Sequence, residues 1–287
     1  MTSSIHLKNQ PVLYESHMHT PLCKHARGLP QDYAAIAENR GLKGIIVTCH
    51  NPVENWAPNG RMNIGQFEEY VNMVDLARKE WKGRIDIRLG LESDYAPGME
   101  PWLEDLHQRA ELHHVLGSVH PHLAEYQDRY FKGNMQEFQK TYFNHLALAA
   151  ETGLFDTLAH PDLVKNVAPS EWDLNSLKDH IRSVLDRIAA TETAMELNTS
   201  GLYKFYSEKH EQPIPEMNPS IFMLQEMQHR QIPVVIGADA HDPSRVGDRF
   251  EEGFKQLKQA GYQQVSIFLN RQRQDIELNQ INLNLVT

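Results

Sequence analysis

Along this chain, short apolar runs rich in β-branched residues alternate with longer segments whose apolar positions recur at helical spacing. The runs predict strands at Val12–His17, Lys43–Cys49, Ile85–Leu91, His114–Val119, Phe155–Ala159, Ala194–Asn198 and Pro233–Ala238, with an eighth, outermost or late, at Gln264–Leu269. Between them, Phe67, Val71, Val74, Ala77 and Trp81 form one stripe, and Met135, Phe138, Tyr142, Leu146 and Ala149 form another, each on a single helix face. Gly153 follows the second stripe where a helix C-cap belongs. Further helices are expected over 31–40, 101–112, 172–190, 219–230 and 245–261. A strand followed each time by a helix implies parallel pairing through right-handed crossovers. The expected fold is an α/β architecture, a single distorted (β/α)7 barrel over 1–287. An open doubly wound sheet is the alternative, because alternation does not distinguish closure from opening.

The carboxyl ends of these strands carry the chemistry. Strand one ends in Glu15-Ser16-His17-Met18-His19, strand two in Thr48-Cys49-His50 and strand three in Gly90-Leu91-Glu92. Strand four ends in Ser118-Val119-His120, strand five in Ala159-His160-Pro161-Asp162, and strand seven in Gly237-Ala238-Asp239-Ala240-His241. Six of the seven barrel strands therefore deliver a metal-ligating residue type to the end where such barrels hold their active sites. The strand period of two puts His17 with His19, and Asp239 with His241, on one side. Strand six ends instead in Asn198-Thr199-Ser200-Gly201, a poor metal site but a reasonable anion cradle.

Any one of these histidines is more simply a hydrogen-bonded surface residue, and it is the agreement among strand ends that carries the metal reading. His6, His107, His113, His114, His145, His180, His210 and His229 fall away from the mouth and keep the plain reading. Cys49 is read as buried packing, pointing away from His50 by alternation. His17, His19, His25, His50, Glu92, His120, His160, Asp239 and His241 together exceed what one catalytic ion takes, about three protein ligands. Two to three divalent ions are expected, and imidazoles mixed with carboxylates suit Zn, Fe or Mn better than Mg or Ca.

Composition narrows the partners. The 287 residues carry 28 Lys+Arg against 38 Asp+Glu, a formal charge of −10, with 16 His. That balance argues against long nucleic acids, which need clustered cations. No apolar run approaches about 18 residues, so no membrane span is expected. The opening MTSSIHLKNQ has no apolar signal-peptide core, and two cysteines, Cys23 and Cys49, fit a reducing cytoplasm. Oligomeric state is not readable from the sequence.

The ordered set HxH, TxH, GxE, SxH, AHPD and ADAH, from His17 to His241, resembles the polymerase and histidinol phosphatase (PHP) superfamily over nearly the whole chain. Within it the similarity is greatest to monofunctional histidinol-phosphate phosphatases, through the stretches 19–26, 151–156, 196–202 and 218–220. The resemblance implies a distorted seven-stranded barrel with a trinuclear site. One metal would be held by His17, His19, Glu92 and Asp239, a second by Glu92, His120 and His160, and a third by His25, His50 and His241. The chain departs from the family pattern in Glu15 and Cys49, each at a usual Asp, in Tyr203 before Lys204 where Arg is usual, and in a segment after His120 without aromatic residues.

The implied reaction is hydrolysis of a small phosphate monoester, histidinol phosphate first, by a metal-bound hydroxide. Glu92 would bridge, and Asp239 or His241 would serve the leaving group. Ser200, Arg129, Lys204 and Arg245 are the expected phosphate contacts. The competing readings are a superfamily phosphoesterase acting on a nucleotide or another small ester, an amidohydrolase, and a barrel that only binds metals or a regulatory partner. The amidohydrolase pattern lacks the His25, His50 and His241 set, and the intact ligand set speaks against the purely binding barrel.

Overall fold

The computed structural model describes residues 11–203 and 214–284. Seven strands, β1 (Tyr14–Glu15), β2 (Gly44–Val47), β3 (Asp86–Asp94), β4 (His114–Ser118), β5 (Thr157–Leu158), β6 (Ala194–Asn198) and β7 (Val234–Gly237), pair in chain order. Every pairing is parallel. The circle closes beyond the ends of β1 and β7: Met18 bridges Ala240, His19 N–H donates to Ala240 O at 2.9 Å, and Ala240 N–H donates to His17 O at 2.9 Å. Sequential order and this bridge decide for the barrel over the open sheet. They also place the closing contact between the two segments that carry His17, His19, Asp239 and His241.

The helices α1 (Pro30–Asn39), α2 (Phe67–Glu80), α3 (Glu100–Gln108), α4 (Ala124–Tyr130), α5 (Met135–Glu151), α6 (Leu174–Ala189), α7 (Ile221–His229) and α8 (Phe250–Ala260) complete the barrel. Their apolar stripes face inward. The α5 stripe buries Phe138, Tyr142, Leu146 and Ala149, while the Asn134 side chain accepts from Glu137 N–H at its start. Gly153 follows its end at φ +69°, a left-handed conformation that glycine takes without strain. The residues of β2, β6 and β7 are all buried, as expected where helices cover one face and barrel side chains the other. No described helix is long and apolar enough to cross a membrane.

One expected boundary shifts, and two elements are added. The predicted helix over 245–261 starts only at Phe250, because Pro243–Arg245 form a separate 3-10 turn capped by the Asp242 side chain. The helix α4, polar and short, was not expected from periodicity. The eighth strand lies outside the barrel, as expected of a late, outermost one. As β8 (Gln264–Leu269) it forms an antiparallel hairpin with β9 (Gln272–Glu277), turned by Asn270 and Arg271, both at positive φ. Arg271 pairs with Asp156 at 2.6 Å, and Phe268 stacks on His114 with centroids 5.0 Å apart. The hairpin thus packs against the amino-terminal ends of the strands, opposite the histidine-bearing rim.

Candidate metal centre

Each expected ligand reaches one cluster at the carboxyl rim. His17 and His19 flank the closing bridge, Glu92 lies in β3 with His50 bridged beside it, and His120, His160, Asp239 and His241 follow their strands. His160 and Asp239 take φ of +30° and +51°, a costly conformation for residues with a Cβ and one that concentrates at functional sites. All but His25 and His241 are buried. A cavity of about 610 Å³ opens over the group, its wall including His25, His50, His120, His160, Asp239 and His241.

Glu92 stands at the centre and divides its oxygens. Oε2 faces His17 Nε2 at 3.4 Å, His19 Nε2 at 3.4 Å and His50 Nδ1 at 2.8 Å. Oε1 faces His160 Nε2 at 2.9 Å and His120 Nε2 at 3.3 Å, and accepts from the Ser118 hydroxyl. Asp239 Oδ1 lies 3.2 Å from His19 Nε2 and 3.7 Å from His17 Nε2. At the outer edge, His25 Nε2 and His241 Nε2 are 2.8 Å apart. His50 belongs to two donor groups, one with His19 and His241 and one with Glu92 and His120.

These donors fit divalent cations. His17 Nε2, both nitrogens of His19, His50 Nδ1 and Glu92 Oε2 are buried without a hydrogen-bond partner among the described residues. Buried polar atoms are nearly always satisfied, so convergent orphans of this chemistry mark a site for cations.

A second layer, missed in the sequence reading, orients the imidazoles. Glu196 in β6 places Oε1 2.6 Å from His17 Nδ1, while its Oε2 accepts from His160 N–H at 2.9 Å. Asp94 Oδ1 lies 2.5 Å from His120 Nδ1, and the same carboxylate is clasped by buried Arg61, with Nη2 at 2.8 Å. Such carboxylates fix the tautomer and leave the far nitrogen for a metal. Both were visible as signals: Glu196 is an acid inside an apolar strand, and Asp94 repeats Glu92 at the strand period. Arg61 sits on a loop and had no such signal. Glu15, where the family pattern has Asp, is buried and accepts from the backbone N–H groups of His17, Ala238 and Gly247. It fastens the closing seam, and burial pushes its pKa up to about 7 against those hydrogen bonds.

The charges are strongly coupled. Burial alone would raise the Glu92 pKa, but His50, His17 and His120 outweigh it and hold the carboxyl well below its ordinary value. Burial likewise opposes charge on His17, yet Glu196, Asp239 and Glu92 hold its pKa well above the usual imidazole value. His50 goes the other way, lowered by burial and by Arg61.

The expected phosphate contacts are placed differently. Ser200 is buried and donates its hydroxyl to Asp239 Oδ2 at 3.3 Å, so it holds a ligand. Arg129 lies over the Trp56 ring, and Arg245 lies over Tyr203 and pairs with Asp248 at 2.5 Å; neither lines the cavity, whereas Arg61 does. Lys204 lies outside the described residues. Cys49 is buried, as read from the sequence.

Residues 15–200 match the model of the PHP domain. The chain belongs to the PHP domain family. A Deinococcus radiodurans protein named "Probable histidinol-phosphatase" is 35% identical to this PHP domain protein over 274 residues, covering 91% of this chain and 98% of that one. The histidinol-phosphatase of Bacillus subtilis is 27% identical over 269 residues, covering 83% and 96%. Among solved structures, histidinol phosphate phosphatase from Lactococcus lactis, complexed with zinc, L-histidinol and phosphate, superposes with a TM-score of 0.73 at 18% identity, covering 91% of this chain and 98% of that one. At that identity the likeness speaks for the barrel of the PHP domain.

Proposed function

We propose that this PHP domain protein hydrolyses histidinol phosphate to histidinol and inorganic phosphate at a cluster of two or three divalent cations, Zn, Fe or Mn. The observation that carries the reading is the division of Glu92, whose two oxygens face different sets of imidazoles. A carboxylate so placed can hold two cations at about the 3.5–4 Å spacing that suits in-line phosphoryl transfer. The similarity to histidinol-phosphatases over nearly full length supports the choice of substrate.

We assign His17, His19 and Asp239 to one side of Glu92, His120 and His160 to the other, and His25, His50 and His241 to the outer position. When bound, the cations would activate water and neutralise the phosphoryl oxygens. The chain's own groups do the rest. Glu196 and Asp94 keep Nδ1 of His17 and His120 engaged, so that each Nε2 faces the cluster. Arg61 sets a fixed positive charge in the wall of the cavity, partly offset by Asp94. Water adds to phosphorus and gives up one proton, the ester P–O bond breaks, and the departing alkoxide takes up one proton; we assign Asp239 Oδ1 or His241 to carry the proton from the one to the other. The formal charge of −10 keeps polyanions away while leaving a small ester free to enter. Two buried free cysteines suit a reducing compartment, and we place the protein in the cytoplasm.

The test is phosphate release by the metal-loaded protein from histidinol phosphate, mononucleotides and sugar phosphates. Preferential release from histidinol phosphate supports the reading. Preference for a nucleotide overturns the substrate, and release from none of them overturns the hydrolase.

A further inference from the structure

We propose that Cys23 is a ligand of this cluster, its thiolate joining His25 and His241 so that the outer cation position is a sulfur–nitrogen site. The inference rests on the divalent-metal reading of the cluster, and is independent of which ester is hydrolysed.

The local chain explains why the sulfur is there. Residues Pro21–Cys23 form one 3-10 turn, closed by Lys24 at φ +69°, whose N–H returns to Pro21 O at 2.9 Å. This tight reversal sends the Cys23 side chain inward, fully buried, and brings His25 to the cavity wall two residues later. The Nδ1 of His25 lies 2.7 Å from Cys23 O, and the Nδ1 of His241 lies 3.1 Å from Asp239 O. Donation of both Nδ1–H groups to these carbonyls would turn both Nε2 atoms, 2.8 Å apart, toward one shared cation. Donor atoms of Cys23, His25 and His241 all lie within 4.8 Å of one another, close to what a tetrahedral ion with Zn–N of about 2.0 Å and Zn–S of about 2.3 Å draws together.

The other thiol lies beside Cys23 and bonds both to it and to Thr20. Cys49 lies 3.7 Å from Thr20 O and accepts from Thr20 N–H at 3.4 Å, from the Thr20 hydroxyl at 3.2 Å and from the Cys23 thiol, a contact that coordination of Cys23 would replace. Cys23 is also the sulfur common to both thiol-containing donor groups, the second being His19, Cys23 and Cys49. Coordination breaks the Cys23 S–H bond, forms a sulfur–metal bond and releases one proton to solvent. A soft thiolate then favours Zn, Co or Cd over Mn at this one position.

The test uses the full chain stripped by chelator and titrated with Co(II), read by absorbance and by bound metal. A thiolate ligand gives an intense near-ultraviolet charge-transfer band besides the visible bands. The band is expected in the wild type, and in Cys49→Ser, where Cys23 is the only sulfhydryl left. It is expected to vanish in Cys23→Ser while the visible bands persist; should that variant not fold, Cys49→Ser still decides. Visible bands without charge transfer in the wild type, loss of charge transfer in Cys49→Ser, or its survival in Cys23→Ser overturns the assignment to Cys23 and leaves the metal cluster standing. No bound cobalt in the wild type overturns both.

Discussion

Glu196 Oε1 lies 2.6 Å from His17 Nδ1, joining the strand that carries no expected ligand to the first histidine of the cluster. The carboxylate holds the imidazole so that Nε2 points at Glu92 and Asp239. Removing such a partner from a metal-bound histidine costs about 10- to 100-fold in metal affinity or activity. Glu196→Ala is therefore expected to weaken metal binding by that order, and Glu196→Gln, which can still accept from Nδ1–H, by less. Competition with a chelator of known affinity measures both.

Gly237 makes this contact possible. A Cβ at that position would stand 2.1 Å from Glu196 Oε1 and 2.9 Å from His17 Cβ, too close for either. Gly237→Ala should reproduce the metal-affinity loss of Glu196→Ala without touching a ligand. Overpacking should also lower folding stability by about 1–3 kcal/mol. Chelator competition and urea unfolding read the two effects separately.

Arg61 and Asp94 form a buried ion pair behind His120. Burial would raise the Asp94 pKa, and Arg61 together with His120 more than reverses it. Truncating one member of a buried pair leaves an uncompensated charge, at a cost of about 3–5 kcal/mol. Arg61→Met should show that loss in urea unfolding, and the double variant Arg61→Met/Asp94→Leu should recover part of the stability while still losing the orientation of His120.

His114, which is not an expected ligand, gives a pH signature of its own. It is fully buried, lies 2.8 Å from the Thr157 hydroxyl, and burial, with Arg271 and His17, pushes its pKa down to about 3 from the usual 6.5. Folded His114 stays neutral while the unfolded chain takes up its proton below about 6.5. The stabilising contribution is thus present above 6.5 and is lost as pH falls toward 3. Between pH 7 and 5 the wild type should lose about 2 kcal/mol more than His114→Gln, measured by urea unfolding at each pH. Equal losses would show that His114 is not held neutral by the fold.

The barrel was legible because its signals are periodic. The strand ends named His17, His19, His50, Glu92, His120, His160, Asp239 and His241, since a strand fixes which way alternate side chains point, whereas His25 follows a 3-10 turn and had no such period. Glu196 and Asp94 obeyed the same period, but each sits among partners that only tertiary contact supplies, and a lone acid gives no hint that an imidazole waits behind it. Arg61 comes from the loop after His50, where no repeat constrains direction. The β9 strand escaped because its outward side chains are polar and exposed, leaving little apolar alternation to read. Arg129 and Arg245 are expected on rim loops from the sequence, but Arg129 lies on α4, a helix without an apolar period, and Arg245 in a 3-10 turn, and each is drawn to an aromatic ring rather than to the cavity.

The central claim is that Glu92 assembles the metal cluster that hydrolyses histidinol phosphate. It is tested most directly by measuring phosphate release and bound metal together, in the wild type and in Glu92→Gln, with folding checked by circular dichroism. The expected result is a folded variant that has lost bound metal and at least about 100-fold in turnover, as expected when a group stabilising the transition state is removed. A folded Glu92→Gln that turns over histidinol phosphate at the wild-type rate would contradict the account.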